Sequence, residues 1–582
     1  MKASSLRRWL PWLEWGRHYD RQTAAGDALA ALIVTLLLIP QSLAYAMLAG
    51  LPPAAGLYAS MLPLLAYALF GSSRSLAVGP VAVVSLMTAA ALQPLFPAGS
   101  AEYAGAALLL ALLSGALLCG MALLRLGFIA NFLSHPVISG FISGAALLIV
   151  LGQLAPLLGI AAAGATLAQL LPALARGLPA SHGPTLLLGL GCLGLLFWAR
   201  RGLPPLLRRC GLDQAWAGNL SRAVPVLAMI LATGAVWLWQ LDERGVRVVG
   251  SIAAGLPLPS LPPLDFELAR QLLPAALLIS LVGFVESMAV AQTLAARRRQ
   301  RIEPDSELLG LGAANLAAAC SGGLPVTGGI ARSQVNFEAG ARTPMAGVFS
   351  AVGIALGALL LAPLLQRLPQ AALAAIIVVA VWGLIDLRGL ARTWRYSRQD
   401  GAAQAATLAA VLLLGVETGI VLGVGLSLLL FLWRTSRPHM AVVGQVPGSE
   451  HFRNVERFQV IESPSVLSLR VDESLYFPNA RYLEDRVAAL VAARPQVRHL
   501  VLMCPGINLI DASALESLEA IAERLRAAGV QLHLSEVKGP VMDQLGRSDF
   551  LQRFGGQVFV SHYQALRQLD PLSTRRALQA GR

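Results

Sequence analysis

CSGGLPVTGGIARSQVN, residues 320–336, lies deep in the second half of a very apolar chain. It is too polar and too rich in glycine for an ordinary membrane span. Pro325 and the Gly328-Gly329 pair are poor helix-interior residues, whereas a helix can start again at Ile330. The pattern predicts a break followed by a half-helix. A helix that begins inside a bilayer aims unpaired N–H groups into a cavity, and those groups favour an anion. Arg332 adds a full positive charge in the first turn. The stretch Gly328, Gly329, Ile330, Ala331 and Arg332 therefore reads as one wall of a mid-membrane anion site. Thr327 either offers it a hydroxyl or caps the half-helix.

The surrounding composition places this break in a membrane. The chain has 582 residues, of which 56% are hydrophobic and 13% charged. Its mean hydropathy is +0.64. That much apolar surface implies a polytopic membrane protein. The formal charge of +13 is explained by arginines in cytoplasmic loops rather than by nucleic-acid binding. The five cysteines, Cys119, Cys192, Cys210, Cys320 and Cys504, show neither disulfide nor metal spacing. His18, His135, His182 and His439 are isolated. There is no HExxH, no Walker A loop and no GxSxG, so neither an enzyme, a cofactor nor ATP-driven transport is expected. The N-terminal segment 1–25 is basic and aromatic (Arg7, Arg8, Trp9, Trp12, Trp15). It fits an interfacial helix or a cytoplasmic tail rather than a cleaved signal peptide.

Apolar segments fall near 26–48, 54–70, 79–96, 104–124, 135–158, 184–199 and 223–240. After the acidic, Pro-rich loop Asp242–Glu267 they resume near 269–296, 306–321, 328–339, 343–365, 370–386, 402–415 and 417–433. These are about fourteen spans, roughly seven on each side of the loop. An odd number per half predicts inverted repeats, about 26–242 and 268–434. The third segment of each half is the abnormal one. In the first half it is SLAVGPVAVVSLMTAAALQP, residues 75–94, broken at Gly79-Pro80. Paired Gly/Pro interruptions at matching positions point to a transporter's binding site, here adding Gly79, Pro80 and Val81. Arginine clusters at 200–209, 297–301 and 388–398 share one side with the N-terminus, which predicts cytoplasmic termini in a multi-pass cell-membrane protein. The Gly140/Gly144 and Gly419/Gly423 pairs read as helix packing.

Glu286 lies well inside an apolar span, so it is a functional candidate by default; its bland reading is an ion pair with Arg332. Gln41 can donate two hydrogen bonds to an anion, and Tyr45 lies one turn on, on the same face. Beyond Arg434, strands at Val466–Val471, His499–Cys504 and Gln531–Glu536 alternate with helices at Ala480–Ala493 and Ala514–Ala528. This predicts a small α/β domain, 438–572, and a basic disordered tail, 573–582. There Ser513 and Glu516 have capping-box spacing, with a regulatory phosphate on Ser513 as the second reading.

IPQSLAYAMLAGLPPAAGLYASMLP, GSSRSLAVGPVAVVSL, GFVESMAVA and GGLPVTGGIARSQVN together resemble the SulP family of sulfate permeases and anion exchangers. The tail, with its strand–Ile-Asp-x-Ser–helix signature, resembles a STAS domain. The resemblance implies core and gate domains, elevator-like movement of the core, a homodimer and a cytoplasmic STAS domain able to take a protein partner. It places the anion among Gln41, Tyr45, Pro80, Val81, Ala331 and Arg332. The family often has Ser where Ala331 stands, so one side-chain donor is missing. Glu286 falls at the family's ion-coupling position. Sodium-coupled members carry a hydroxyl residue one turn later, where this chain has Val290, so proton coupling or simple exchange is expected. An anion about 6 Å from ionised Glu286 would be repelled by roughly 3 kcal/mol at an effective dielectric near 20. Protonation and anion binding then favour each other. The expectation is a secondary active, proton-coupled transporter of sulfate or a similar oxyanion. Chloride/bicarbonate exchange, dicarboxylate transport and anion sensing through the STAS domain are the alternatives.

Overall fold

The computed structural model describes residues 10–132, 134–162, 164–211, 213–250, 255–256, 262, 264–360 and 365–580. The chain forms two compact units, Met1–Ser427 and Leu428–Arg582. Arg7, Arg8 and Trp9 lie outside the described residues, and the N-terminal aromatic segment contributes a short helix at Trp12–Trp15.

The first half of the membrane unit runs through α1 (Arg21–Leu48), α2 (Pro53–Tyr58), α3 (Leu62–Phe70), β1 (Val78–Gly79), α4 (Ala82–Leu92) and α5 (Ala101–Leu123). It continues with α6 (His135–Leu158), α7 (Leu167–Gly177), α8 (Gly183–Arg201), α9 (Leu203–Arg209) and α10 (Gln214–Trp239). The second half runs through α11 (Phe266–Arg297), α12 (Pro304–Ala319), β2 (Thr327–Gly328), α13 (Ile330–Glu338) and α14 (Met345–Leu360). It ends with α15 (Gln370–Trp382), α16 (Leu387–Tyr396), α17 (Arg398–Leu414) and α18 (Val416–Ser436). Each expected apolar segment contains a helix among its described residues. In each half, the third segment is the one shortened to a strand–half-helix unit.

The helices pack as two sets that meet along α1, which also lies against α10 and α15. One contains α1–α5 and α11–α14, with α12 and α11 against α5, and α14 against α1. The other contains α6, α8, α10, α15, α17 and α18, with α15 and α17 against α6, and α8 against α15. Small residues let helices of the second group cross closely. A Cβ at Gly144 would fall 2.9 Å from Val411 Cβ, and one at Gly423 would fall 2.7 Å from Thr407 Cγ2. α7, α9 and α16 were not foreseen. α16 exposes Leu387, Trp394 and Tyr396 beside Arg388, Arg392 and Arg395, the pattern of a helix lying along a membrane surface.

The second unit is a six-stranded sheet in the order β4-β3-β5-β6-β7-β8. Its strands are β3 (Met440–Gln445), β4 (Phe452–Asn454), β5 (Val466–Val471), β6 (His499–Met503), β7 (Gln531–Ser535) and β8 (Val558–Phe559). β5 to β8 are parallel, and β3 is antiparallel to both its neighbours. Alternation decides the two faces: Leu500 and Leu502 join the cluster under α19 (Ala480–Ala492) and α20 (Ala512–Ala527), while Val501 joins the opposite one. The expected disordered tail is corrected. Pro571–Gln579 is a helix with Asp570 as its N-cap, and it buries Thr574 and Ala577. The capping box is corrected too. Asp511 is the N-cap of α20, accepting from Ala514 N at 2.8 Å, and Ser513 sits exposed in the first turn.

Candidate anion site

The two breaks meet. β1 pairs antiparallel with β2, Val78 opposite Gly328 and Gly79 opposite Thr327. Antiparallel strands send their following half-helices in opposite directions, so α4 and α13 diverge from one crossing point with their N-termini adjacent. Val81 caps α4 and Gly329 caps α13, both in extended conformation and neither with a side-chain cap. The first N–H groups of both helices thus lack helical partners, and both dipoles contribute positive potential at the crossing.

Four polar side chains that the sequence reading passed over hold this crossing. Gly328 N–H donates to Ser287 Oγ at 2.8 Å. Ser287 and Thr327 hydroxyls are 2.7 Å apart, and Thr327 Oγ1 donates to Gly283 O at 2.6 Å. The bonds form one directed chain that fixes β2 to α11. Thr327 therefore does not cap α13, contrary to that expectation, and its hydroxyl proton is engaged by Gly283 O. Asn315 on α12 clasps Val326 through its N and O, both at 2.9 Å. Ser333 Oγ accepts from Ala77 N at 2.9 Å, and Asn336 Nδ2 donates to Ser75 O at 3.1 Å, lashing α13 to the strand that leads into β1. The available signal was the same as for Glu286: Ser287 and Asn315 are polar groups in apolar helices.

Arg332 is 2% exposed and lies over the crossing. A Cβ on Gly79 would collide with its Nη1, and one on Gly329 would fall 2.7 Å from its Nε and 3.0 Å from Val81 Cγ1. Only glycine at both places lets the guanidinium rest against backbone. Glu286 is buried on α11, and Tyr45 is buried on α1; Arg332, Glu286 and Tyr45 lie within one another's electrostatic reach. The ion pair expected as Glu286's bland reading is not made. Arg332 Nη1 and Glu286 Oε2 are both buried without a hydrogen-bond partner among the described residues. An unsatisfied buried guanidinium N–H costs several kcal/mol unless something negative meets it.

A cavity of about 470 Å³ reaches the site from one side. Gln41, Ile330 and Ala331 line it, together with Arg200, Ser221 and Gln334. Pro40, within α1, removes a helical hydrogen bond immediately before Gln41. Pro80 and Val81 are buried at the crossing beside Arg332. Gln41, Ile330 and Ala331 are thus reachable from the cavity, whereas Arg332, Glu286 and Tyr45 stand behind them.

Glu307 and Asp27, like Asp305, are buried acids away from this crossing. Glu307 accepts from Tyr67 OH, Ser72 N, Ser72 Oγ and Ser73 N at 2.7–2.8 Å. Asp27 accepts from Arg342 N and Thr343 N at 2.6 and 3.1 Å, and from Thr343 Oγ1. Both are saturated and tie neighbouring segments together, unlike Glu286.

The Sulfate permease family matches residues 25–407, and the STAS domain matches residues 457–565. "Sulfate transporter 4.1, chloroplastic" of Arabidopsis thaliana is 33% identical over 564 residues, covering 95% of this chain and 80% of that one. A Mycobacterium tuberculosis protein named "Probable sulfate transporter" is 36% identical over 551 residues, covering 94% and 95%. Among solved structures, the murine Slc26a9 anion transporter in the inward-facing state superposes with a TM-score of 0.88 at 22% identity, covering 98% of this chain and 95% of that one. The transmembrane domain of a cyanobacterium bicarbonate transporter superposes at 0.60 and 23% identity, covering 70% and 99%. These two likenesses establish the fold: inverted repeats followed by a STAS domain.

Proposed function

The chain belongs to the sulfate permease family, and from that premise we propose that it is a secondary active transporter of sulfate or a closely similar oxyanion, coupled to protons. Anion transport itself is what the family and its named relatives have in common. The observation that carries the finer reading is Arg332: a buried guanidinium with an unpartnered Nη1, resting where two half-helices begin.

In this reading the anion enters through the cavity past Gln41 and Ala331. It accepts N–H groups from the starts of α4 and α13 and displaces Glu286 from the field of Arg332. With ionised Glu286 nearby the pocket would hold two negative groups against one arginine. Proton uptake by Glu286 relieves that, which links proton to anion. The α1–α5 and α11–α14 group carries both walls of the pocket, so it moves as the elevator against the α6, α8, α10, α15, α17 and α18 group. The termini and the STAS domain face the cytoplasm, following the arginine distribution. The transporter works as a homodimer, and exposed Ser513 at the start of α20 offers a contact or modification point for a cytoplasmic partner.

Proteoliposomes loaded and challenged with labelled sulfate, bicarbonate, succinate and uracil test this directly. Sulfate uptake that rises with an inward proton gradient supports it. Uptake of uracil alone overturns it, and binding without accumulation would make the protein a sensor.

A further inference from the structure

A shallow groove of about 560 Å³ opens on the membrane unit between the ends of α8 and α15, lined by Phe197, Trp198, Arg201, Gly202 and Trp382. It shares no residue with the anion site. Phe197 and Trp382 meet edge to face, with centroids 5.9 Å apart at 85°. Beside them Arg200 Nη1 donates to Val379 O at 2.9 Å, joining α8 to α15. Trp198 and Trp382 are 51% and 49% exposed, so two indoles with apolar faces are left open next to the exposed Arg201.

The sequence that supplies Arg201 is one-sided in charge. The sequence holds no Asp or Glu between Glu102 and Asp213, so Arg200, Arg201, Arg208 and Arg209 have no acidic neighbour in their own stretch. Asp386, beyond α15, is engaged as the N-cap of α16, accepting from Gly389 N at 2.7 Å, with Arg392 at 4.0 Å.

We propose that this groove binds an anionic phospholipid, its phosphate on Arg201 and the upper part of its acyl chain across Trp198, Phe197 and Trp382. Indoles settle at the level where headgroups meet hydrocarbon, and basic pockets between membrane helices hold anionic headgroups. A zwitterionic lipid finds the same apolar wall but gains little from the arginine. α8 and α15 also lend Arg200 and Val379 to the wall of the access cavity, but none of the groove residues lines it, so the lipid anchors these helices in their leaflet without entering the pocket.

Native mass spectrometry of the full chain in non-ionic detergent, with phosphatidylglycerol and phosphatidylcholine of matched acyl chains, tests this. The wild type retains phosphatidylglycerol at least about fivefold better, the increment expected of one arginine at a membrane surface. Arg201→Gln brings the two lipids to parity, Arg201→Lys keeps the preference, and Trp382→Leu weakens both lipids alike. Equal retention by the wild type, or a preference that survives Arg201→Gln, overturns the proposal. So does displacement of the lipid by an equal concentration of inorganic phosphate, which would mark a site for soluble anions. None of these outcomes depends on which anion the protein carries.

Discussion

Adding one methyl group at Gly329 perturbs the anion site at its tightest point. Gly329 has φ −90° and ψ 133°, a conformation alanine adopts freely, so the effect of Gly329→Ala is steric alone. The new Cβ would lie 2.7 Å from Arg332 Nε, 3.3 Å from Arg332 Cδ and 3.0 Å from Val81 Cγ1. All three atoms belong to side chains, two of them to Arg332, so Arg332 has to shift. Overpacking of this kind costs roughly 1–3 kcal/mol. If that falls on the site, sulfate affinity drops about 5- to 150-fold, at about 1.4 kcal/mol per decade. The assay is radiolabelled sulfate binding to purified protein, with thermal unfolding measured in parallel. Gly152→Ala on α6 is the control, since nothing lies within 4 Å of its added methyl. Weaker binding at unchanged Tm is the expected result. Full affinity in Gly329→Ala would refute the placement of Arg332 in the site.

Glu286→Gln keeps the volume of the side chain and removes its titrating proton; uptake should lose its dependence on a proton gradient while sulfate/sulfate exchange continues, as read by tracer flux. Ser287→Ala leaves Gly328 N–H without its acceptor in a buried place, and should lower stability by about 1–3 kcal/mol together with transport, checked by thermal unfolding and uptake. In the STAS domain, burial holds the His533 and His562 imidazoles down at about 4. His533 Nδ1 is already an acceptor for Gln557 N, and Ser535 and His562 share a hydrogen bond. Unfolding frees both to titrate near 6.5. The unfolded chain therefore binds protons that the folded one does not, and stability present above about pH 6.5 is lost as pH falls toward 4. Hydrogen exchange of β6 and β7 should accelerate over that range, and a flat profile would contradict the burial argument.

The membrane architecture was legible because lipid leaves little choice: an apolar run of sufficient length becomes a helix, and a break stands out. Gly79-Pro80 and Gly328-Gly329 announced themselves in this way, and their meeting as β1 and β2 followed from inverted repeats. The supports of the crossing were less visible. Ser287 and Ser333 act through partners 41 and 256 residues away, and a lone Ser or Asn in an apolar helix has many fates. Thr327 does not form the cap that its proximity to the break suggested, because its proton is committed to Gly283 O across the interface with α11. Ser513 matched a capping-box spacing, but Asp511, two residues earlier, is the stronger acceptor at the helix start. The tail 573–582 reads as disordered because its charge hides two small residues one helical turn apart, Thr574 and Ala577, that find cover in the folded domain.

Selenate replaces sulfate with a heavier, anomalously scattering centre of the same charge and shape. Diffraction from crystals grown with selenate should show one strong anomalous peak between Val81 and Ala331, within hydrogen-bond reach of Arg332 and absent from Arg332→Ala crystals. A peak elsewhere in the membrane unit, or one that persists without Arg332, would contradict the claim that the two half-helix starts and this arginine form the binding pocket.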